Sequence, residues 1–448
     1  MMNDTNRQFF KVGAFRAWVP VIFFIGYWLN SYFHYQFGLL IRDPLRPQTH
    51  IYFIANLIVF ILMYRLGIGV QQTCMLKQDE EVWSLNRAVF RYIPVLCAIV
   101  SLAYIVRICD RFMTGAGSIV KTLEETEFVR EEITASPLTT IAMLFSVWEV
   151  IYWAIYFLAL ASRYPMKRWI HILSLGIGLS MCFLSFLSAN RGNFFVVCQY
   201  IAFYLLYAKG ARIKDLLWKN NYLVLRVSLI AFIAIAITYF FFISRYRGSE
   251  DGLRAYSRGY KEYDRYGLFQ TNVDELDLSA FFLTYTYMSE GYQYIDLFLR
   301  RGDPFYFRPL DLVGGRVLRQ FRRVIPLIPE RPQSVEIGNS WRESAGYNTH
   351  GWPTIWGWNI CMFGYIGGVM FMGFLAYWLG WCSQMFLKTR DVTYLITCLA
   401  WYLCLMNSFN SIWADVGHYL AYWVGFVMIL NAKRRWLRFR YLGRGRYQ

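Results

Sequence analysis

Residues 51–70 read IYFIANLIVFILMYRLGIGV, a run of twenty residues in which Arg65 is the only charge. About 20 apolar residues are enough for a helix to cross the hydrocarbon core of a bilayer. Nine further runs meet the same criterion. The ten predicted spans are 18–40, 51–70, 92–109, 138–162, 169–189, 192–208, 222–243, 355–387, 393–411 and 416–432. The eighth is long enough to tilt strongly or to include an interfacial turn.

The composition of the whole chain agrees with this pattern. Of its 448 residues, 57% are hydrophobic, 17% are charged and 20% are aromatic, and the mean hydropathy is +0.30. A soluble protein usually has about 25% charged residues. Disordered, collagen-like and coiled-coil chains contain far fewer aromatic residues. We therefore expect an all-α polytopic membrane protein.

Lysine and arginine in the short loops predict how the spans are oriented, because such loops are cytoplasmic when they are basic. Alternation from a cytoplasmic N-terminus puts the basic clusters on the same side: 65–91, 163–168, 209–219, 388–390 and 433–446. Both termini are then cytoplasmic.

The alternation divides the chain into three parts. Spans one to seven occupy residues 1–243, one large external loop occupies 244–354, and spans eight to ten with a basic tail occupy 355–448. A helix is predicted within the loop at 278–300. A loop of this length usually carries function.

Several kinds of site are excluded by the pattern of charges and motifs. The net charge of +17 is scattered between apolar runs, which argues against a nucleic-acid partner. The nine cysteines lie in or beside apolar runs without a CxxC pair, so neither a disulfide framework nor a zinc site is predicted. Phosphate-loop, HExxH and GxSxG motifs are missing, and the outer loop has no DxD motif. The sequence predicts no metal and no other cofactor.

Three arginines are predicted to lie where spans meet the external surface. Arg191 is in the tight turn between spans five and six, and Arg245 and Arg247 follow span seven directly. Guanidinium groups pair with phosphate oxygens, so this group suits a lipid-linked diphosphate at headgroup depth. Each arginine also suits a purely interfacial anchor, with its side chain directed toward lipid headgroups.

Two residues near the end of the loop are candidates for a general base. His350 stands immediately before span eight, and Glu336 is close to it in sequence. Histidine titrates near neutral pH and can accept a proton from a hydroxyl group. The alternatives are a hydrogen-bonded interfacial histidine and a solvated or arginine-paired carboxylate. Nearby Trp356 and its neighbouring tryptophans suit stacking on sugar rings or an interfacial aromatic belt.

Glu149 is the clearest charge inside a predicted span. An unpaired carboxylate in the bilayer costs a few kcal/mol, so this residue should face the bundle or a cavity. We expect it near the middle or inner half of the membrane, paired with a structural partner.

Parts of the sequence resemble the Wzy-type O-antigen polymerases, or oligosaccharide repeat unit polymerases. The resemblance rests on the turn Ser188-Ala-Asn-Arg191-Gly192, the Arg245-Tyr-Arg247 motif, the large external loop, and residues 350–368, HGWPTIWGWNICMFGYIGG. It covers roughly 180–385, whereas the first 160 residues match only in hydropathy. The family is related to the O-antigen ligases and has a GT-C-like architecture.

The resemblance implies a glycosyltransferase of the bacterial inner membrane with its active site facing the periplasm. Such an enzyme moves a glycan from one undecaprenyl diphosphate to the terminal sugar of another lipid-linked repeat unit. It implies diphosphate binding by Arg191, Arg245 and Arg247, and a role for His350 as the loop histidine. Implied partners are the lipid-linked oligosaccharide, membrane lipid and a chain-length regulator protein.

Three other functions remain open at this point. A ligase would use the same donor with a different acceptor. A transporter of lipid-linked saccharides would carry charges along a path through several spans. A membrane scaffold would leave the external arginines without a role.

Overall fold

The computed structural model of the protein describes residues 14–37, 45–69, 79–113, 148–187, 192–211, 291–300 and 355–406, with scattered positions at 138, 142, 145–146, 234, 238, 426–428 and 431. Nearly all of this described part is helical and it contains no strand, which confirms the prediction of an all-α chain. In chain order the helices are α1 Ala14–Phe37, α2 Pro47–Gly69, α3 Asp79–Phe90, α4 Ile93–Met113, α5 Glu149–Ala161, α6 Arg168–Leu187, α7 Gly192–Ala202, α8 Gly291–Arg300, α9 Ile355–Thr389 and α10 Val392–Met406. Helix α7 continues as a π-helical turn, Phe203–Ala208.

Three helices in the described part are long and apolar enough to cross a membrane. They are Pro47–Gly69, Ile93–Met113 and Met362–Thr389, which agree with the second, third and eighth predicted spans. Shorter apolar helices coincide with four other predicted spans: Glu149–Ala161, Arg168–Leu184, Val196–Ala208 and Val392–Met406. The spans predicted at 222–243 and 416–432 fall almost entirely outside the described residues. The chain is an all-α membrane protein.

The most extensive helix pair in the described part is α2 with α9. Two glycines allow their backbones to touch. A Cβ added to Gly67 would lie 2.1 Å from the Tyr377 carbonyl oxygen, and one added to Gly380 would lie 2.3 Å from the Tyr64 carbonyl oxygen. Residue numbers rise together along the contact, so the two helices are parallel. Small residues at such a crossing permit close van der Waals packing between membrane helices.

Helix α9 is broken at Gly364, which has φ 70° and ψ −173°. This conformation is essentially restricted to glycine. The Phe363 ring stacks on the Phe371 ring with centroids 4.6 Å apart, and the Asn359 carbonyl oxygen would lie 3.4 Å from a Cβ on Gly368. In one continuous helix, residues 359 and 368 would be about 13 Å apart. Residues 355–363 therefore form a half-helix that folds back on the long helix 365–389, so the predicted eighth span does include a turn.

Hydrogen bonds between side chains and backbone join the helices at one end of the bundle. Arg16 donates from Nε and Nη2 to the carbonyl oxygens of Tyr207 and Ala208, both at 2.7 Å, and Arg390 donates to Ala208 at 3.2 Å. Asn86 of α3 donates to the Arg390 carbonyl oxygen at 2.9 Å. We refer to this end as the Arg16 end. Arg16, Asn86 and Arg390 belong to segments predicted to be cytoplasmic, and Tyr207 and Ala208 are at the cytoplasmic end of the sixth predicted span.

Helix α8, from the predicted external loop, packs at the opposite end. The Asp296 carboxylate accepts a hydrogen bond from the Thr49 hydroxyl at 2.6 Å and from the Arg46 backbone N–H at 3.3 Å. An acid at this position satisfies the backbone N–H of Arg46 and complements the dipole at the start of α2. Arg300, at the end of α8, donates to the same carboxylate at 2.7 Å. The helix predicted at 278–300 is observed over its last ten residues.

Helix α3 is not predicted from the sequence. It buries Leu85, Val89 and Phe90, whereas Trp83 remains 40% exposed with the Arg87 guanidinium 5.1 Å from its ring. A short amphipathic helix has no long apolar run, so the length criterion for a span does not detect it.

Candidate functional site

The five residues singled out for diphosphate binding and catalysis all lie outside the described part of the chain. They are Arg191, Arg245, Arg247, Glu336 and His350. Two of them, Arg191 and His350, are close in sequence to described helices.

Arg191 directly precedes the first residue of α7. Helix α6 ends at Leu187 and α7 begins at Gly192, so only four residues join two helices that pack against each other. The residues of the predicted turn that precede Gly192 lie outside the described part of the chain. Because α7 runs toward the Arg16 end, Gly192 lies at the opposite end of the bundle, which is also the end that carries α8.

His350 precedes the half-helix 355–363 by five residues. The first two residues of that half-helix, Ile355 and Trp356, are buried inside the bundle.

Aromatic rings surround the start of the half-helix. The Trp356 ring lies 5.6 Å from Trp28, 5.7 Å from Phe24 and 5.8 Å from Phe53, measured between centroids. The Trp356 side chain has 0% of its surface exposed. Its role is therefore core packing, and stacking on a sugar ring is not open to this tryptophan.

Helix α8 covers this aromatic cluster from the loop side. The Tyr292 hydroxyl donates to the Trp28 carbonyl oxygen at 3.0 Å, and its ring packs edge-on against Phe53. Burial raises the pKa of Tyr292 well above its ordinary value, so this hydroxyl stays protonated and keeps donating. The Tyr365 hydroxyl donates to the Leu299 carbonyl oxygen at 2.8 Å, which fixes the far end of α8 to the long helix.

Some buried polar side-chain atoms of the half-helix and of α2 have no hydrogen-bond partner among the described residues. They are Nε1 of Trp356, both side-chain polar atoms of Asn359, and Oδ1 of Asn56. All three residues are fully buried. A buried donor or acceptor left unpaired costs about 1–3 kcal/mol. Such atoms can bind water or the polar groups of a ligand, so this region is the candidate site in the described part of the chain.

Glu149 forms a second polar centre, inside the bundle. It is 3% exposed and accepts a hydrogen bond from the Tyr104 hydroxyl, with the Tyr200 hydroxyl as a further partner. The Arg107 guanidinium lies 5.6 Å from the Tyr104 ring. The carboxylate thus joins α4, α5 and α7 near mid-bundle. The prediction that Glu149 faces the bundle with a structural partner is confirmed.

Two of the five histidines also have tyrosine partners. The Nδ1 atom of His50 lies 2.5 Å from the Tyr32 hydroxyl, and that of His171 lies 2.9 Å from the Tyr156 hydroxyl. Each pair ties two neighbouring helices together. The hydrogen bonds of His50 and His171 therefore have a structural role.

Within the ranges that the structure describes, no group of three or more His, Cys, Asp or Glu side chains could hold a metal ion. No family model, no curated protein and no solved structure matches the chain. Its function therefore has to follow from the chemistry of its own residues.

Proposed function

We propose that this protein polymerises surface-polysaccharide repeat units. It transfers a glycan from one undecaprenyl diphosphate to the terminal sugar of another lipid-linked repeat unit, without a metal ion, on the periplasmic side of the inner membrane. The proposal includes ten spans in a GT-C-like arrangement, with both termini in the cytoplasm. It rests on the resemblance carried by residues 188–192, 245–247 and 350–368.

The fold-back at Gly364 is the observation that carries the proposal. It lies within 350–368, and it buries the start of a half-helix five residues after His350. Unpaired polar atoms of Trp356 and Asn359 accompany this buried start. In membrane proteins, broken helices occur where the chain lines a binding cavity, because lipid cannot satisfy the free backbone groups.

The reaction needs only groups that the sequence provides. A hydroxyl oxygen of the acceptor sugar attacks the anomeric carbon of the donor, and the bond from that carbon to the phosphate oxygen breaks. Undecaprenyl diphosphate leaves, and its developing negative charge is stabilised by Arg191, Arg245 and Arg247 in place of a metal ion. The hydroxyl proton passes to His350 or to Glu336.

A gel of surface glycans from the native host tests the proposal. Wild type, a deletion strain, Arg191→Ala and His350→Ala are compared. Arg168→Ala is the matched control, because Arg168 is exposed at the opposite end of the same pair of helices. We expect the ladder to collapse to a single repeat unit on core in the deletion strain and in both site variants, and to persist in the control.

Other outcomes separate the alternatives. Long lipid-linked chains that accumulate without attachment to core would identify a ligase. Loss of all periplasmic lipid-linked saccharide would identify a transporter. A full ladder in both Arg191→Ala and Arg245→Ala, with normal protein levels, would refute the diphosphate assignment.

A further inference from the structure

Two guanidinium groups converge on the last turn of the α7 segment, at the Arg16 end. Arg16 and Arg390 both donate to the Ala208 carbonyl oxygen, at 2.7 and 3.2 Å. The donating nitrogens of the two arginines are therefore no more than 5.9 Å apart, the sum of these two distances. The residues are 374 positions apart in sequence, so only the fold brings them together.

The positive charge at this point exceeds the negative charge beside it. The C-terminus of a helix carries about half a negative elementary charge, compared with two full charges on the arginines. No ion pair joins either arginine to a carboxylate among the described residues. Asp391 is next in sequence, but its carboxylate accepts a hydrogen bond from the Thr393 N–H at the start of α10.

Burial makes the excess charge costly. Arg16 is only 9% exposed, and desolvation together with the nearby Arg390 charge lowers its pKa from the usual value. Desolvation also lowers the pKa of Arg390, which keeps part of its surface open. An anion bound to the pair would raise the pKa of both arginines again, since it would offset their repulsion and supply acceptors for the N–H groups that do not bind carbonyl oxygens.

The backbone around the pair is held in unusual conformations. Arg390 has φ 58°, in the left-handed region, and Asn86 fixes its carbonyl oxygen. Gly210 has φ 71°, and a Cβ there would lie 2.5 Å from the Arg16 guanidinium carbon. The Arg390 guanidinium also stacks over Phe386 at 5.3 Å. These contacts orient both guanidinium groups before any ligand binds, which lowers the entropic cost of binding.

We propose that Arg16 and Arg390 bind a phosphate group, that of an anionic phospholipid headgroup. Arg390 follows α9 by one residue, and the part of α9 from Met362 to Thr389 is long and apolar enough to cross a membrane, so we place Arg390 where this helix leaves the bilayer. Arg16 uses Nε and Nη2, and Arg390 uses Nη1, to bind carbonyl oxygens, so the remaining N–H groups of the two guanidinium groups are the donors for phosphate oxygens. Basic pockets between helix ends on the cytoplasmic side are typical binding places for anionic lipids. The site is at the opposite end from the proposed catalytic groups and is independent of the proposed reaction.

The test uses the full-length protein in nanodiscs, with the midpoint of thermal unfolding as the readout. Discs of dioleoylphosphatidylcholine alone are compared with discs that also contain dioleoylphosphatidylglycerol. We expect the midpoint to rise with phosphatidylglycerol. Arg390→Gln should need about ten times more phosphatidylglycerol for the same rise of the midpoint, because the variant loses one charge-assisted hydrogen bond. Arg390→Lys should retain part of it.

Arg163→Gln is the matched control. Arg163 is exposed, has φ 53° and lies near α3, so the variant removes the same charge from the same kind of backbone position. It should keep the full response. An equal response in wild type, Arg390→Gln and Arg163→Gln would overturn the proposal, since the lipid would then act through general surface charge.

Sodium phosphate, compared with sodium chloride at equal ionic strength in phosphatidylcholine discs, separates the two sources of phosphate. Stabilisation by inorganic phosphate but not by phosphatidylglycerol would reject the lipid as ligand. Native mass spectrometry of wild type needs no variant: retention of phosphatidylglycerol over phosphatidylcholine is expected, and equal retention of both would overturn the proposal.

Discussion

The Gly364 break provides the sharpest test of the candidate site. At φ 70° and ψ −173°, a residue with a Cβ is strained by about 1–3 kcal/mol. Gly364→Ala should therefore lower the free energy of unfolding by that amount. Alternatively, α9 of the variant becomes continuous through residue 364. The half-helix 355–363 would then lose its contacts with Trp28 and Phe53. In either case, polymerisation in the native host should fall along with stability.

Gly176→Ala is the matched control, because a Cβ at Gly176 in α6 would have no atom within 4 Å. Alanine is favoured over glycine inside a helix by about 1 kcal/mol, so this variant should be stabilised. The two substitutions should thus shift stability in opposite directions. Unfolding by sodium dodecyl sulfate, followed by circular dichroism in detergent micelles, measures both. If Gly364→Ala is as stable as the wild type or more stable, the proposed break at Gly364 is wrong.

Three further predictions concern the packing around this break. Substituting Phe363 and Phe371 with alanine, singly and together, should give a coupling energy of about 0.5–1.5 kcal/mol in unfolding titrations, because their rings stack 4.6 Å apart. Simple additivity would mean that the two rings are not in contact. Gly67→Ala should cost about 1–3 kcal/mol, since its Cβ would lie 2.1 Å from the Tyr377 carbonyl oxygen, and an unchanged thermal midpoint would argue against the tight crossing of α2 and α9. Asp296→Asn should reduce the free energy that holds α8 against the bundle by about 1 kcal/mol. This loss is modest because the arginine partner of Asp296 is 46% exposed. Protease should then cleave the loop faster. A wild-type cleavage rate would contradict that role for the carboxylate.

The sequence by itself determines which segments enter the membrane. The runs at 51–70, 92–109 and 355–387 reappear as helices α2, α4 and α9. This works because local composition and length decide whether a segment is apolar and long enough to cross the bilayer, and the cost of unpaired backbone groups in lipid then makes that segment helical. The end of α8 at Arg300 is a local feature as well, and it was predicted from the residues around it.

The residues of the candidate site are harder to predict from the sequence than the membrane spans. Its predicted residues were chosen for their chemistry and for a resemblance in short motifs, and they stay predictions. Asn359 and Asn56, the buried polar residues that the structure adds, carry no signal in the sequence, because an asparagine in an apolar run has the same identity whether it is paired or not. Only packing decides whether it has a partner.

The tertiary structure decides the features that depend on distant contacts. A continuous helix and a fold-back at Gly364 have the same hydropathy, so only packing against α2 selects the break. Asp296 caps a helix that starts 249 residues earlier, at Pro47, and Arg16 meets Arg390 across almost the whole chain. Local apolar composition is enough to drive helices into a bilayer. Their partners are chosen by backbone approach at glycines and by polar groups that have to be satisfied within the bundle, and these depend on the folded chain as a whole.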